Sequence, residues 1–196
     1  MGVQPVLDAM IKYLPSPSDL AVPTAMDKSG KAIDVPLHDK PLVALAFKVT
    51  FDALRGPLVF VRVYSGTLEA RQTVQISSYK TKQGPKERAT KLLEMYADDF
   101  EEIPRIKAGN IGVVVGFKSV KTGDTLLSLH DTRQIKLHDI SIPPAVFVRS
   151  VQVDRVSDEK PLHAALENLL REDPSLSLSI NQETGQTLLS GMGYSI

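Results

Sequence analysis

The chain contains no cysteine, carries no net charge and has no long apolar run. Without a thiol there can be no disulfide framework, no thiolate metal site and no cysteine nucleophile, which fits a reducing compartment. Because 23 basic residues balance 23 acidic ones, contact with nucleic acid has to come from a local patch. No apolar run approaches the ~20 residues that span a bilayer, and the first residues do not resemble a signal peptide, so we expect no membrane partner.

The residue types usually found in catalytic sites do not occur here in catalytic patterns. There is no Gly-x-Ser-x-Gly elbow and no phosphate-binding Gly-x-x-x-x-Gly-Lys-Ser/Thr loop. The acidic run from Asp98 to Glu102 is typical of a solvated turn. The histidines share no metal-ligand spacing; they are His38, His130, His138 and His163. The sequence therefore predicts no catalytic, cofactor-binding or metal-binding residue in this chain.

The first 39 residues look like a lead-in to the rest of the chain. Apolar residues at helical spacing predict an amphipathic helix over 3–14, which Pro15 and Pro17 end. Residues 18–39 are rich in proline, serine, aspartate and lysine, a composition that predicts a linker with a weak strand at 32–35.

Short apolar strands separated by turn residues occupy residues 40–142 and predict a small, closed antiparallel β barrel. In the strand at 59–64, valines alternate with Phe60, Arg62 and Tyr64, so the valines share one face and the other three residues the opposite face. Ser65-Gly66 is predicted to turn the chain into a second strand of a hairpin. The apolar residues of the segment 86–96 do not distinguish a helical from a strand periodicity. We assign the segment as a strand because the barrel needs one there.

The remaining residues, 143–196, show the order strand, helix, strand, strand. An apolar stripe recurs at helical spacing over 162–170, and over 175–180 serine alternates with Leu176, Leu178 and Ile180. This order matches the opening of a ferredoxin-like split βαβ domain whose second helix and last strand are absent. We therefore expect an unprotected sheet edge, with chain pairing there as a possible consequence.

Several long motifs, in the right order, resemble the translational GTPases of the elongation factor G type. The resemblance implies the second-domain β barrel of that family over 40–142, an incomplete ferredoxin-like third domain over 143–196, and the terminal helix of an absent GTPase domain over 1–17. The motifs are PLVALAFKV at 41–49, VFVRVYSGTL at 59–68, KERATKLLEMYAD at 86–98, IKAGNIGVVVGFK at 106–118, KTGDTL at 121–126, LREDPSL at 170–176 and NQETGQTLLSGMG at 181–193. The family pattern does not continue into Tyr194–Ile196, and no site is placed there.

The resemblance also implies a function. GTP and Mg²⁺ would bind the full-length parent, whereas this chain would bind the ribosome through small-subunit RNA and proteins without catalysing a reaction. RGPLVF at 55–60 and ADDFEEIP at 97–104 are most similar to a mitochondrial branch that acts with the ribosome recycling factor to disassemble ribosomes after termination. The translocating branch is one alternative. An independent β-barrel adaptor that binds RNA is the other.

Two groups of residues are candidates for these contacts. Basic residues neutralise phosphates, although the residue pattern alone also fits a solvated surface; the ribosomal RNA candidates are Arg55, Arg62, Tyr64, Lys80, Lys82, Lys86 and Arg88. An aromatic such as Tyr64 could stack on a base, although on a barrel strand it is more often part of the core. The candidates for a third-domain interface are Glu183, Thr184, Gly185, Gln186, Gly191, Met192 and Gly193.

Overall fold

The structure is a computed structural model that describes residues 2–77, 84–97, 99–137, 144–153 and 155–192. No helix in these ranges is long and apolar enough to cross a membrane. In chain order the elements are α1 (Val3–Tyr13), β1 (Thr24–Met26), β2 (Ala32–Asp34), β3 (Val43–Asp52), β4 (Gly56–Ser65), β5 (Thr67–Glu69), β6 (Thr73–Ile76), β7 (Lys86–Arg88), β8 (Lys91–Tyr96), β9 (Asp99–Ile103), β10 (Arg105–Lys107), β11 (Ile111–Val115), β12 (Thr125–Ser128), β13 (Lys136–Leu137), β14 (Phe147–Val151), α2 (Glu159–Glu172, after a short 3₁₀ turn), β15 (Ser177–Ile180) and β16 (Thr187–Gly191).

An antiparallel sheet in the order β7-β6-β12-β3-β4-β11-β8-β9 forms most of the first domain. Its inner face surrounds one apolar core, to which the separate β5–β10 pair contributes Leu68 and Ile106. The three valines of β4 predicted to share a face lie in this core and are fully buried. The mainly antiparallel β architecture, followed by a βαββ unit, is therefore confirmed.

The predicted hairpin after Ser65-Gly66 is wrong. Strand β4 pairs with β3 and β11, whereas β5 pairs with β10. Gly66 has a φ of 69°, and a Cβ there would lie 2.7 Å from the carbonyl oxygen of Lys40, so this tight crossing requires glycine. Its carbonyl accepts a 3.1 Å bond from the amide of Ala108, which directs the chain toward β10 instead of back along β4.

Residues 18–39 differ from the linker that their composition predicts. Strands β1 and β2 pair with each other, and β1 also pairs with β13, in a three-stranded sheet. Ala25 and Val35 are fully buried in a second apolar cluster that includes Val43 of β3 and Leu127 of β12. The weak strand predicted at 32–35 corresponds to β2. Strand β1 was not predicted, because a strand of three residues is too short to show a clear alternation.

The acidic segment after β8 also differs from its prediction. Asp98 lies outside the described residues, but Asp99–Ile103 is a strand and not a solvated turn, because it pairs with β8 along its length. The strand predicted over 86–96 is interrupted at Ala89 and Thr90. Their amides bond to the carbonyls of Gln72 and Val115 and not to a single neighbouring strand, which separates β7 from β8.

The βαββ unit forms a sheet in the order β14-β16-β15, with α2 connecting β14 to β15. This is the strand order expected of a ferredoxin-like split βαβ unit. Among the described residues, the outer edges of β14 and β15 pair with no other strand. Chain pairing at these edges stays a prediction.

Candidate nucleic-acid interface

The outward face of β4 presents a row of half-buried aromatic and basic side chains. Phe60, Arg62 and Tyr64 alternate with the buried valines, as the strand periodicity predicted. The guanidinium of Arg62 lies 5.2 Å from the centroid of the Tyr64 ring. Ile111 of β11 pairs with Arg62 in register, and its side chain is 55% exposed. This strand face therefore places a cation, an aromatic ring and an accessible apolar side chain next to one another.

Strand β3 extends this face with residues that the sequence did not indicate as candidates. The ammonium of Lys48 lies 5.6 Å from the ring centroid of Phe60, and Phe47 meets the same ring edge-to-face at 6.2 Å. A register shift between Ala46 and Lys48 places Lys48 opposite Phe60. A bulge of this kind leaves no mark in a period-2 pattern, so Lys48 could not be assigned to the face from the sequence. We call Lys48, Phe60, Arg62 and Tyr64 the β4 face.

A small cleft adjoins one end of the β4 face. It has a volume of about 140 Å³, and its walls include Arg62, Tyr64 and Gly109 together with residues of the segment 17–23. Within that segment Leu20 is 51% exposed. The residues expected to form a linker thus help to shape the surface beside the two predicted RNA contacts.

Arg55 is engaged within the chain. It lies in the connection between β3 and β4, and its guanidinium is 3.9 Å from the ring centroid of Phe100 on β9 and 3.5 Å from a carboxylate oxygen of Asp52. The amides of Arg55 and Leu54 donate to the same carboxylate, which lowers the pKa of Asp52. Arg55 therefore stabilises this loop and the acidic strand β9, which reduces its freedom to reach a phosphate.

The remaining basic candidates lie elsewhere. Lys86 and Arg88 are exposed on β7, the edge strand that β6, β12 and β3 separate from β4. Arg88 Nε donates a 3.2 Å bond to the carbonyl of Arg71. Lys80 and Lys82 fall outside the described residues. The described basic candidates thus lie in three places: Arg62 on the β4 face, Arg55 in the connection between β3 and β4, and Lys86 and Arg88 on the β7 edge.

The predicted third-domain candidates lie at opposite ends of β16. Glu183, Thr184, Gly185 and Gln186 form the turn before it, where the Asn181 side chain accepts from the amides of Glu183 and Thr184 at 2.9 and 3.3 Å. Gly185 has a φ of 70°.

The other third-domain candidates follow at the end of β16. Gly191 is buried, and its carbonyl accepts a bond from the amide of Val146, while Met192 is 39% exposed. Gly193 lies outside the described residues. The structure therefore does not assemble the six described candidates into one surface.

A larger cleft lies away from both groups. Its volume is about 720 Å³, and it is lined by the loop 27–29 and by residues 129–134, including the exposed His130. Its carboxylates are engaged: Asp27 accepts from Ser29 and Lys31, and Asp131 pairs with Arg133 at 2.8 Å. No group of metal-binding side chains occurs in the described ranges. His138 lies outside them.

Two family models match the chain in sequence. Residues 41–129 match Elongation factor G domain 2, and residues 142–195 match Elongation Factor G, domain III. The two matches follow the order of the barrel and the βαββ unit.

Individual relatives agree with these matches. Elongation factor G of Fervidobacterium nodosum is 42% identical over 194 residues. Two proteins named ribosome-releasing factor 2, mitochondrial, are similarly close: that of Kluyveromyces lactis is 40% identical over 221 residues, and that of Emericella nidulans 39% over 234 residues. Each match covers 98% of this chain but only 27%, 26% and 25% of the relative. The chain therefore spans about a quarter of the length of the relatives it matches.

A solved structure supports the same architecture. A crystal structure of a Thermus thermophilus protein superposes with a TM-score of 0.70 and is 27% identical in sequence. The match covers 98% of this chain and 26% of that chain. The similarity thus includes both the barrel and the βαββ unit.

Proposed function

Because this chain belongs to the elongation factor G family and consists of its second domain and part of its third, we propose that it binds the small ribosomal subunit. The parent protein is a GTPase that acts with the ribosome recycling factor to disassemble mitochondrial ribosomes after termination. GTP and Mg²⁺ bind the parent outside the residues of this chain.

The β4 face is the observation that carries the ribosome-binding proposal. It combines Lys48 of β3 with Arg62 and the two aromatic rings of β4, whose inner side is fully buried, so the cations are held on a rigid support. Arginine and lysine neutralise phosphates, and a protein that does so releases counterions and binds more weakly as salt rises. Since the ring of Tyr64 already lies beside Arg62, we favour phosphate contact over base stacking as the role of this pair.

Binding of the chain to purified small subunits tests the proposal. Arg62→Ala should weaken binding and lower the slope of log K against log salt by about 1, because one phosphate contact is lost. The matched control is Arg149→Ala, which removes an exposed arginine of the βαββ unit. Equal effects of the two substitutions would contradict the β4 face as the binding surface. Tight binding to protein-free RNA, with no preference for the subunit, would instead favour an independent RNA-binding adaptor.

The recycling role rests on the two sequence motifs at 55–60 and 97–104. In the structure they meet, since Arg55 of the first stacks on Phe100 of the second at 3.9 Å. The parent protein, supplied with recycling factor and GTP, should separate post-termination mitochondrial ribosomes into subunits without supporting translocation. Strong translocation activity without subunit separation would reject this assignment.

Translocation is the second candidate function, and one observation favours it. The alignment with the Fervidobacterium nodosum elongation factor G spans 194 residues, nearly the length of this chain, whereas those with the two mitochondrial factors extend over 221 and 234 residues. The longer alignments imply insertions in the mitochondrial relatives that this chain does not share. The same assay pair, translocation against subunit separation, discriminates between the two functions.

A further inference from the structure

The C-terminal end of α2 contacts the barrel at the loop 120–124, which connects β11 to β12. Thr122 donates twice, from its amide to the carbonyl of Arg171 at 3.1 Å and from its hydroxyl to the carbonyl of Glu172 at 2.9 Å. The last carbonyls of a helix have no partner within the helix. The barrel therefore caps the end of α2 from outside the βαββ unit.

The side chains of the same two helix residues reach back to the barrel. Arg171 Nε donates a 3.1 Å bond to the carbonyl of Val120, and its guanidinium lies 5.3 Å from the ring centroid of Phe51 on β3. The carboxylate of Glu172 accepts a 3.0 Å bond from the amide of Phe51. Two consecutive residues of α2 are thus held by hydrogen bonds to a loop and to a strand of the barrel.

The hydrogen bonds of Arg171 satisfy only part of its guanidinium. Its Nη2 is buried and has no hydrogen-bond partner among the described residues. Burial lowers the pKa of Arg171, and the charges of Glu87 and Asp124 oppose that shift. A buried N–H of a charged guanidinium that has no hydrogen-bond partner costs free energy, because in the open it would bond to water. The other contacts of Arg171 must therefore hold it in this position. Its geometry therefore depends on the fit of Val120, Phe51 and the helix end.

We propose that Arg171 is a positioning residue that fixes the orientation of the βαββ unit relative to the barrel, with Thr122 as its partner on the barrel side. This inference does not depend on the proposed function, since it concerns the joint between two units of the chain. It predicts that loss of the guanidinium frees the angle between the units while each of them stays folded.

The absence of cysteine allows a direct measurement. Asp34→Cys on β2 and Glu167→Cys on α2 introduce two exposed thiols for nitroxide labels, one on each side of the joint. Electron–electron distance measurements on the otherwise unchanged chain should give one narrow distance distribution. A broad distribution in this reference protein would overturn the proposal at once.

The variants then test the role of the residue. Arg171→Ala should broaden the distribution. Arg171→Lys should not restore it, because lysine has neither the Nε–H that donates to Val120 nor a planar guanidinium to lie over Phe51. Thr122→Val, which removes one hydroxyl donor, should broaden it less. The matched control Arg149→Ala should leave it narrow. If Arg171→Ala unfolds the βαββ unit, the lysine and valine variants decide, and narrow distributions in both would reject the proposal.

Discussion

The barrel and the βαββ unit differ sharply in how much of their apolar surface they bury. The barrel surrounds a large shared core, to which its strands β3, β4, β11 and β12 all contribute. In the described part of the βαββ unit, the only buried hydrophobic residues are Leu166 and Leu189. Its exposed apolar residues include Val146, Val148, Leu169 and Ile180, which are 67%, 56%, 42% and 70% exposed.

The difference shows that an alternating pattern alone does not make a self-sufficient sheet. Burial of a Val, Leu or Ile side chain contributes roughly 1.5–3 kcal/mol, so a unit with two such residues has little with which to oppose its loss of conformational entropy. The βαββ unit thus gains little stabilisation from its own buried side chains, whereas the barrel has a large apolar core.

The largest expected effect comes from the barrel core. Phe117 is fully buried there, whereas Phe100 on β9 is 42% exposed. Phe117→Ala should lower the free energy of unfolding by about 3–5 kcal/mol, because the truncation leaves a cavity. Phe100→Ala removes the same atoms from a partly exposed position and should lower the free energy of unfolding clearly less. Urea unfolding of both variants measures the comparison, and equal losses would contradict the assignment of the core.

Two glycines with the same backbone geometry provide the next comparison. Gly66 and Gly185 have φ values of 69° and 70°, so alanine at either position should cost about 1–2 kcal/mol for the left-handed conformation. Around Gly185 a Cβ would meet no atom within 4 Å, whereas at Gly66 it would meet the backbone of Lys40 and Leu42. Gly66→Ala should therefore cost a further 1–3 kcal/mol or so from crowding. Similar thermal stability of the two variants would show that the backbone around Lys40 and Leu42 can shift to accommodate the added Cβ.

The smallest effect tests whether residues 18–39 belong to the folded barrel. The pKa of Asp27 lies below its ordinary value of 3.8, first because the Ser29 hydroxyl donates to it at 2.6 Å and then because the Lys31 amide does. Ser29→Ala should raise that pKa, because the largest cause of its lowering is removed. The control Ser18→Ala removes a hydroxyl that does not bond to Asp27. An Asp27 pKa that is unchanged in Ser29→Ala, measured by carboxyl NMR titration, would indicate a mobile linker.

The sign of the accompanying pH effect follows from the lowered pKa. A carboxyl whose pKa is lower in the folded state stabilises the fold above its unfolded pKa, and this contribution disappears as the pH falls through the folded value. The stabilisation by Asp27 should thus be complete at neutral pH and vanish in acid. In Ser29→Ala the stabilisation by Asp27, and therefore its loss in acid, should be smaller.

The sequence predicted those features that depend on a repeated pattern. The valine face of β4, the alternation of the βαββ strands and the stripe of α2 all follow from side-chain periodicity over at least four residues. Strands β1 and β10, which the sequence did not indicate, have three residues each, too few for periodicity to show. The pairing of β5 with β10 was missed because register depends on contacts between residues about forty positions apart.

The candidate site was predicted in part for the same reason. Arg62 and Tyr64 were placed on the outer face by alternation, and the structure places them together. Lys48 was missed because a bulge shifts its register. Arg55 is still predicted to contact RNA, and the sequence did not indicate its contacts with Phe100 and Asp52. Neither a bulge nor a contact across a loop leaves a signal in the local sequence. The joint at Arg171 is of this kind too, because Phe51 and Thr122 are distant from it along the chain.

Hydrogen exchange of the backbone amides in the whole chain tests the contrast between the two units most directly. Exchange in β4 and β11 should require global unfolding, because these strands are central and cover the core. Amides of β15 and β16 should exchange at a clearly lower free energy through opening of the βαββ unit alone. Equal protection of the two units, at the global limit, would contradict the account.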